Sequence, residues 1–265
     1  MNKFDRYIKI NKKAWNKKTP VHIKSNFYKN DQFIKVKNSL NAIEINAIGN
    51  VNEKSLLHLQ CHFGQDSISL ARMGARVTGV DFSEIAIREA IKLSKKINIP
   101  VKFLESNVLD LNLNKEFDIV FSSYGAIGWL PDLNIWAKNI ATHLRKDGLF
   151  LLTEFHPFFE LIKDSSNNYF YDPSPLIEIE KGSYTDGGVG LTTETYWWNH
   201  SLSDIFYALK SNGLILTHFE EFDYSPYPLD GMIEKEKGKY ILETKKNNSI
   251  PYVFNLKATN KKNLK

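Results

Sequence analysis

The chain of 265 residues holds one cysteine, Cys61. A lone thiol cannot build a disulfide framework or the paired cysteines of a structural zinc site, so no metal centre is expected. No run of about 18 apolar residues occurs, which excludes a hydrophobic transmembrane helix. The opening MNKFDRYIKI mixes charge into its apolar residues and lacks the apolar stretch of a signal peptide. These absences predict a cytoplasmic protein with no membrane partner. There is no arginine-rich stripe, and no basic segment is interleaved with aromatics in the style of an RNA-binding sheet. The net charge of +5 therefore reads as a solvated, lysine-rich surface, with no nucleic acid expected as partner. Internal repeats, low-complexity tracts and linkers are missing too, which predicts a single domain over 1–265. Oligomeric state is not readable from the sequence.

What is present is ordinary globular composition, hydrophobic 42% and charged 25%, with an aromatic share of 13%. The aromatics gather after residue 150, which suits a pocket lining or a lid. The chain is organised around 56–83, LLHLQCHFGQDSISLARMGARVTGVDFS. Leu56–Leu59 reads as a buried strand. Gly64 supplies the turn into a helix with Ile68, Leu70, Ala71 and Met73 on its apolar side. Gly74 ends that helix, and Ala75–Val80 is the next strand. Asp81 then stands where a carboxylate accepts both hydroxyls of a ribose.

Before this unit, Tyr7–Trp15 reads as a helix stopped by Thr19-Pro20. Phe33, Val36, Leu40, Ile43 and Ala47 recur at helical steps and predict one amphipathic helix. After it, Ser83 caps a helix with Ile87, Ala90, Ile91 and Ile97 inward. Val101–Leu104 and Phe117–Phe121 are the third and fourth strands. Asp132 caps a helix through Leu144, and LFLLTEF is the fifth strand. Successive crossovers give an α/β fold with a doubly wound, mostly parallel sheet of seven strands. Long excursions follow. A hairpin is expected from Leu176–Glu180 and Leu191–Trp197, and a capping box Ser201-x-x-Asp204 opens a helix through Lys210. Leu214–Phe222 and Ile250–Ala258 complete the sheet, and a polar tail closes the chain. Residues 1–50 are expected to form a helical cap. The segments 156–200 and 223–249 are expected to be lid insertions.

The 56–83 stretch lacks G-x-G-x-x-G, which argues against a nicotinamide oxidoreductase. It resembles motifs I and II of class I S-adenosylmethionine (SAM) methyltransferases, D-L-G-C-G-T-G and V-D-x-S. His58 replaces the acid, Gln60 and His62 replace glycines, and Gly64 is kept. The HLQCHFG, EFHP, WNHS and YSPY segments resemble those of a bacterial methyltransferase family of undefined substrate. The resemblance covers nearly the whole chain and implies a Rossmann-like fold, SAM as cofactor and a last strand inserted antiparallel.

The resemblance also implies roles for particular residues. Gln60, His62, Phe63 and Gly64 approach the methionyl portion, with the His62 side chain pointing away from the pocket. Asp81 holds the ribose and Phe82 lies against the adenine. Asn107 and the Val108 N–H read the adenine edge, unless Asn107 merely forms a turn. Ser122 lies near the methionine amino group. Trp15, His22, Tyr28, Asn199, His200 and Tyr224 fall on the substrate side, with a structural reading open for each histidine. Tyr124 and His156 are the catalytic candidates. His156 follows a buried strand at the ligand edge and has a pKa suited to a general base; its other reading is a ring that orders the lid through a hydrogen bond.

The expected activity is methyl transfer to an O, N or S atom of a small-molecule substrate in a lidded pocket. Two other readings stay open. A non-catalytic SAM-binding module fits the replaced glycines. A nucleic-acid methyltransferase fits the pI, although SSYG stands where an N-P-P-Y-type motif belongs.

Overall fold

The computed structural model describes residues 4–35, 38–163, 168–229, 231–243 and 249–261. Three helices lead: α1 (Asp5–Lys24), α2 (Asn30–Lys35) and α3 (Ala42–Ile48). Then come β1 (Ser55–Leu59), α4 (Gln65–Arg72), β2 (Arg76–Asp81), α5 (Glu84–Lys96), β3 (Lys102–Glu105) and β4 (Phe117–Ser123). A 3₁₀ turn (Ile127–Trp129), α6 (Leu133–His143), β5 (Leu144–Phe155) and α7 (Pro157–Lys163) follow. The last part holds β6 (Leu176–Lys181), β7 (Thr192–Trp197), α8 (Leu202–Ser211), β8 (Leu214–Phe222), β9 (Met232–Glu236), β10 (Lys239–Leu242) and β11 (Val253–Asn260).

The central sheet has seven strands in the order β3-β2-β1-β4-β5-β11-β8. Strands β1 to β5 pair in parallel, and β11 inserts antiparallel between β5 and β8. This is the doubly wound Rossmann-like sheet read from the sequence. Its strands are apolar on both faces because helices cover both. One face buries Leu57, Trp136, Phe150 and Phe254. The other buries Leu56, Phe121 and Leu151 with Ile48 and Leu70. The strand order reverses between β1 and β4, and the crevice at their carboxyl ends is where such sheets hold ligands.

Caps set the helix starts as their side chains predict. Ser83 Oγ accepts the Ala86 N–H at 3.1 Å. The Asp132 carboxylate accepts the N–H groups of Asn134 and Ile135. Ser201 and Asp204 close a reciprocal capping box.

Several sequence expectations fail locally. Pro20 does not stop the first helix; α1 continues to Lys24 with Pro20 inside it. The proline removes one backbone donor, and the neighbouring Thr19 hydroxyl donates to the Trp15 carbonyl at 2.8 Å. The single helix expected from Phe33 to Ala47 is two helices, α2 and α3. Its Val36 lies outside the described residues. A capping box of Asn41 and Glu44 starts α3 afresh, and this local signal outweighs the hydrophobic spacing. Ile91, expected inward, is among the exposed apolar residues. A second hairpin, β9–β10, lies in the segment read as loop. Of the polar tail, residues 262–265 fall outside the described residues.

The β6–β7 hairpin forms its own two-stranded sheet and is pinned to α1. Asn11 Nδ2 donates to the Tyr196 carbonyl at 2.8 Å, and Asn11 Oδ1 accepts the Tyr196 N–H at 2.8 Å. Asn11 thus satisfies both backbone groups of a buried residue. Asn11→Ala leaves both unpaired, at a cost of about 1–3 kcal/mol each where water cannot reach them. Amide exchange is expected to accelerate along β7 while the central sheet stays protected; unchanged β7 protection contradicts the pinning.

Candidate active site

The site begins in the turn after β1. Gln60 (φ 52°), His62 (φ 50°) and Gly64 (φ 83°) all adopt the left-handed conformation. Gln60 and His62 are the residues that replace motif glycines, so the glycine backbone is kept and side chains are added at a strain of roughly 1–2 kcal/mol each. The turn is tied to β2. Cys61 N–H donates to the Val80 carbonyl at 2.9 Å, and His62 N–H donates to Asp81 Oδ2 at 2.9 Å. Gln60 Nε2 crosses to the Ala126 carbonyl at 2.7 Å, while its Oε1 is buried with no partner among the described residues.

A cavity of about 640 Å³ runs along the carboxyl ends of β1, β2 and β4, a volume that suits small-molecule binding. On the β2–β3 side it is lined by Asp81, Phe82, Asn107 and Val108. The Asp81 carboxylate also accepts the Ser83 N–H at 2.9 Å. Two of its roughly four lone-pair sites are thereby used, and the others are free for ligand hydroxyls. Burial pushes its carboxyl up to about 6, against the backbone N–H groups that favour the ionised form. The Asn107 side-chain carbonyl accepts the Leu109 N–H at 3.1 Å, and its amide donates to Asp110 at 2.9 Å. Asn107 is thus in the wall and also forms the turn.

On the β4–β5 side the lining is aromatic: Trp15, Tyr28, Tyr124, Trp129, Tyr184, Trp197 and Tyr227. Trp15 and Trp129 meet edge to face at 5.3 Å, as do Trp129 and Trp197 at 5.0 Å. Gly128 is required beneath this group, because a Cβ there would fall 2.0 Å from the Trp197 ring. The α1 helix and the β6–β7 hairpin supply much of the roof. Lys18, almost wholly buried, ion-pairs with Glu180 and lies 5.8 Å and 6.0 Å from the Trp15 and Trp129 rings. Asp186 accepts the N–H groups of Asn26 at 2.8 Å and Phe27 at 3.2 Å. The hydroxyls of Tyr28 and Tyr184 are 2.5 Å apart.

Of the residues singled out in the sequence, Trp15, Tyr28, Gln60, His62, Phe63, Gly64, Asp81, Phe82, Asn107, Val108 and Tyr124 line the cavity. His62 corrects its expected orientation. Its ring is in the wall, 5.2 Å from Trp15 and 4.6 Å from Phe63, and its Nε2 meets His22 Nδ1 at 3.0 Å. The left-handed backbone turns the ring toward α1, so the cavity is shaped by it. His22 stands behind His62, fully buried. Ser122 is also fully buried, its hydroxyl without a partner among the described residues, and it is not part of the cavity wall.

His156 lies outside the cavity. Its Nδ1 accepts the Phe158 N–H at 3.1 Å, which caps α7, and its Nε2 is 2.9 Å from a Glu221 oxygen. One nitrogen is taken by α7 and the other by β8, which leaves none for a substrate in the cavity. Asn199 and His200 line a separate small cleft. His200 Nε2 donates to the Leu130 carbonyl at 2.8 Å and its ring stacks on Tyr171; burial lowers it to about 4. Asn199 holds Trp197 Nε1 at 3.1 Å, so it acts on the cavity through the indole. Tyr224 packs against Phe222 and the Lys239 ammonium, away from the cavity.

Two buried acids were missed by sequence reading. The Glu154 carboxylate takes the N–H groups of Gly125, Ala126, Ile127 and Phe155. It fixes the loop that carries Tyr124 and accepts Gln60. Glu44 Oε2 accepts the Tyr124 hydroxyl at 2.9 Å, and Tyr124 itself is left-handed (φ 38°). Glu154 stood in plain view in EFHP, an acid at a buried strand end opposite a glycine loop. The capping box marks Glu44 locally only as a helix start; its other partner, Tyr124, follows β4.

Residues 56–148 match a methyltransferase-domain family. A ubiquinone biosynthesis O-methyltransferase of Rickettsia canadensis is 21% identical over 193 residues, 67% of this chain and 76% of that one. Among solved structures, a SAM-dependent methyltransferase of Clostridium acetobutylicum superposes with a TM-score of 0.58 at 16% identity, covering 94% of this chain and 98% of that one. DhpI bound to S-adenosylhomocysteine superposes at 0.59 with 13% identity, covering 97% and 98%. Residues 56–148 are a methyltransferase domain, which makes this an enzyme, and the fold is the one SAM-dependent methyltransferases share. The residues present fit S-adenosylmethionine. Asp81 has lone pairs for the ribose, and the orphaned Gln60 Oε1 offers an acceptor to an amino group.

Two outcomes follow. Asp81→Ala is expected to weaken S-adenosylhomocysteine binding about 10- to 100-fold by calorimetry, the worth of hydrogen bonds to a charged group; equal affinity removes Asp81 from the site. For Glu44, burial lifts the carboxyl from its ordinary 4.5 to about 7. The folded chain holds this proton more tightly than the unfolded chain, so the stabilisation is complete below 4.5 and is lost as pH rises through about 7. Glu44→Gln loses nothing in that window. Its melting temperature is expected to rise relative to the wild type between about pH 5 and pH 8; a constant difference contradicts the buried acid.

Proposed function

We propose that the protein transfers the methyl group of SAM to an O, N or S atom of a small molecule, by in-line displacement beneath a lid. The observation that carries this reading is the cavity's asymmetry: a polar β2–β3 side built around Asp81 and an aromatic β4–β5 side roofed by α1 and β6–β7. When bound, SAM supplies a methyl group on a positively charged sulfur, so little covalent chemistry falls to the protein. Asp81 accepts the ribose hydroxyls and Phe82 covers the adenine, with Asn107 and the Val108 N–H at its edge. Gln60 orients the methionyl amino group. On the other side, Tyr28, Tyr124, Trp15 and Trp129 hold the acceptor and exclude water, which protects a positioned nucleophile from competition. Residues 1–50 act as the cap in this scheme and 156–200 as the principal lid, with 223–249 contributing Tyr227.

The ubiquinone-pathway relative supports an acceptor of small size. The roof supports it as well, since α1 and the hairpin, joined through Asn11 and Tyr196, cover part of the cavity. The test is to incubate the full chain with SAM carrying a labelled methyl and with a metabolite extract or a total RNA fraction. Label is expected in the small-molecule fraction. Label in RNA overturns the acceptor class, and tight cofactor binding with no label in either fraction points to a non-catalytic binding module.

A further inference from the structure

The two histidines at the turn form a chain whose role is left open by cofactor binding alone. His62 Nε2 meets His22 Nδ1 at 3.0 Å, and His22 Nε2 meets Ser183 Oγ at 2.7 Å. The chain thus links the cofactor turn, α1 and the β6–β7 lid. His22 is fully buried, whereas the His62 ring is partly open to the cavity it lines. The remaining nitrogen, His62 Nδ1, has no hydrogen-bond partner among the described residues. An imidazole nitrogen left unpaired in a cavity wall, with its other nitrogen fixed from behind, is the arrangement of an oriented base.

We propose that His62 is the group that receives the proton lost by the methyl acceptor, with His22 as its positioning residue. This rests on the methyl-transfer reading above. A lone pair of the acceptor atom forms the new bond to the methyl carbon. The carbon–sulfur bond breaks with its electron pair going to sulfur, and the acceptor's proton passes to His62 Nδ1. Positive charge moves from sulfur to imidazole, so the net charge within the cavity is unchanged. The role requires one tautomer: His62 Nε2–H donating to His22 Nδ1, and His22 Nε2–H donating to Ser183 Oγ. Burial and the neighbouring Lys18 hold His22 neutral, and burial with His22 holds His62 neutral. The other charged or titratable groups around the pair are Tyr28 before α2, Asp66 of α4, Asp81 of β2, Glu180 of β6 and Tyr184 of the lid turn. The acceptor must then carry a dissociable proton, as an alcohol, phenol, thiol or neutral amine does.

The first arm needs no acceptor. Long-range proton–nitrogen spectra of the full chain saturated with S-adenosylhomocysteine are expected to show His62 Nδ1 unprotonated and Nε2 protonated. His22→Ala is expected to release this preference into a mixture of tautomers. A protonated Nδ1 in the wild type overturns the proposal. The second arm uses labelled SAM and metabolite extract with His62→Asn, because asparagine tolerates a left-handed backbone. Label transfer is expected to fall about 100-fold or more, the size of a general-base effect, with S-adenosylhomocysteine affinity within about threefold. Retained transfer overturns the proposal, as does a loss confined to Tyr124→Phe. If S-adenosylhomocysteine does not bind the wild type, the methyl-transfer reading itself fails; if it binds and either arm fails, only the role of His62 does.

Discussion

One hydrogen bond organises the ligand edge of this fold: the His62 N–H donating to the Asp81 carboxylate. It joins the left-handed turn after β1 to the end of β2, and each side shapes the other. The turn presents two side chains, Gln60 and His62, where the usual motif has none. Burial raises the Asp81 carboxyl toward neutrality, against the His62 N–H that favours its ionised form, and lone pairs are left for a ligand. Without this bond, neither the Asp81 carboxylate nor the wall made by the turn keeps its place.

The two side chains make the turn an organising centre rather than a passive cradle. Gln60 reaches Ala126 in the loop after β4, and Glu154 fixes that loop from β5 through four backbone N–H groups. His62 reaches His22 in α1, and His22 reaches Ser183 between β6 and β7. The turn after β1, the loop after β4 and the roof are therefore connected by short, directed contacts. The strain of two left-handed non-glycine residues persists because these contacts over-determine the conformation. The aromatic roof adds a low-polarity surface in which Lys18 is retained through Glu180 and two indole rings.

The sheet was legible because its signals are local: apolar runs, caps at Ser83, Asp132 and Ser201, and glycine at the turns. Asp81 was legible for the same reason, being placed by its own strand. What sequence reading missed depends on contacts across long chain separations. His156 has the residue type of a base, yet its two nitrogens are turned to Phe158 in α7 and Glu221 in β8. The turn's own sequence has the His62 side chain pointing away from the pocket; α1, through His22, supplies the partner that holds the ring in the cavity wall. Glu44 acquires its meaning from Tyr124, eighty residues away in sequence. Pro20 was read as a stop because propensity was weighed without the packing of α1 on the hairpin and on α5, which carries the helix past one missing donor.

The most direct test is a crystal structure of the full chain grown with S-adenosylhomocysteine. The ribose hydroxyls are expected on Asp81, the adenine between Phe82 and Val108, and the sulfur pointing toward Tyr124 and His62 beneath the aromatic roof. A nucleoside bound away from Asp81, or a sulfur directed away from the aromatic side, contradicts the assignment of this cavity as the place of methyl transfer.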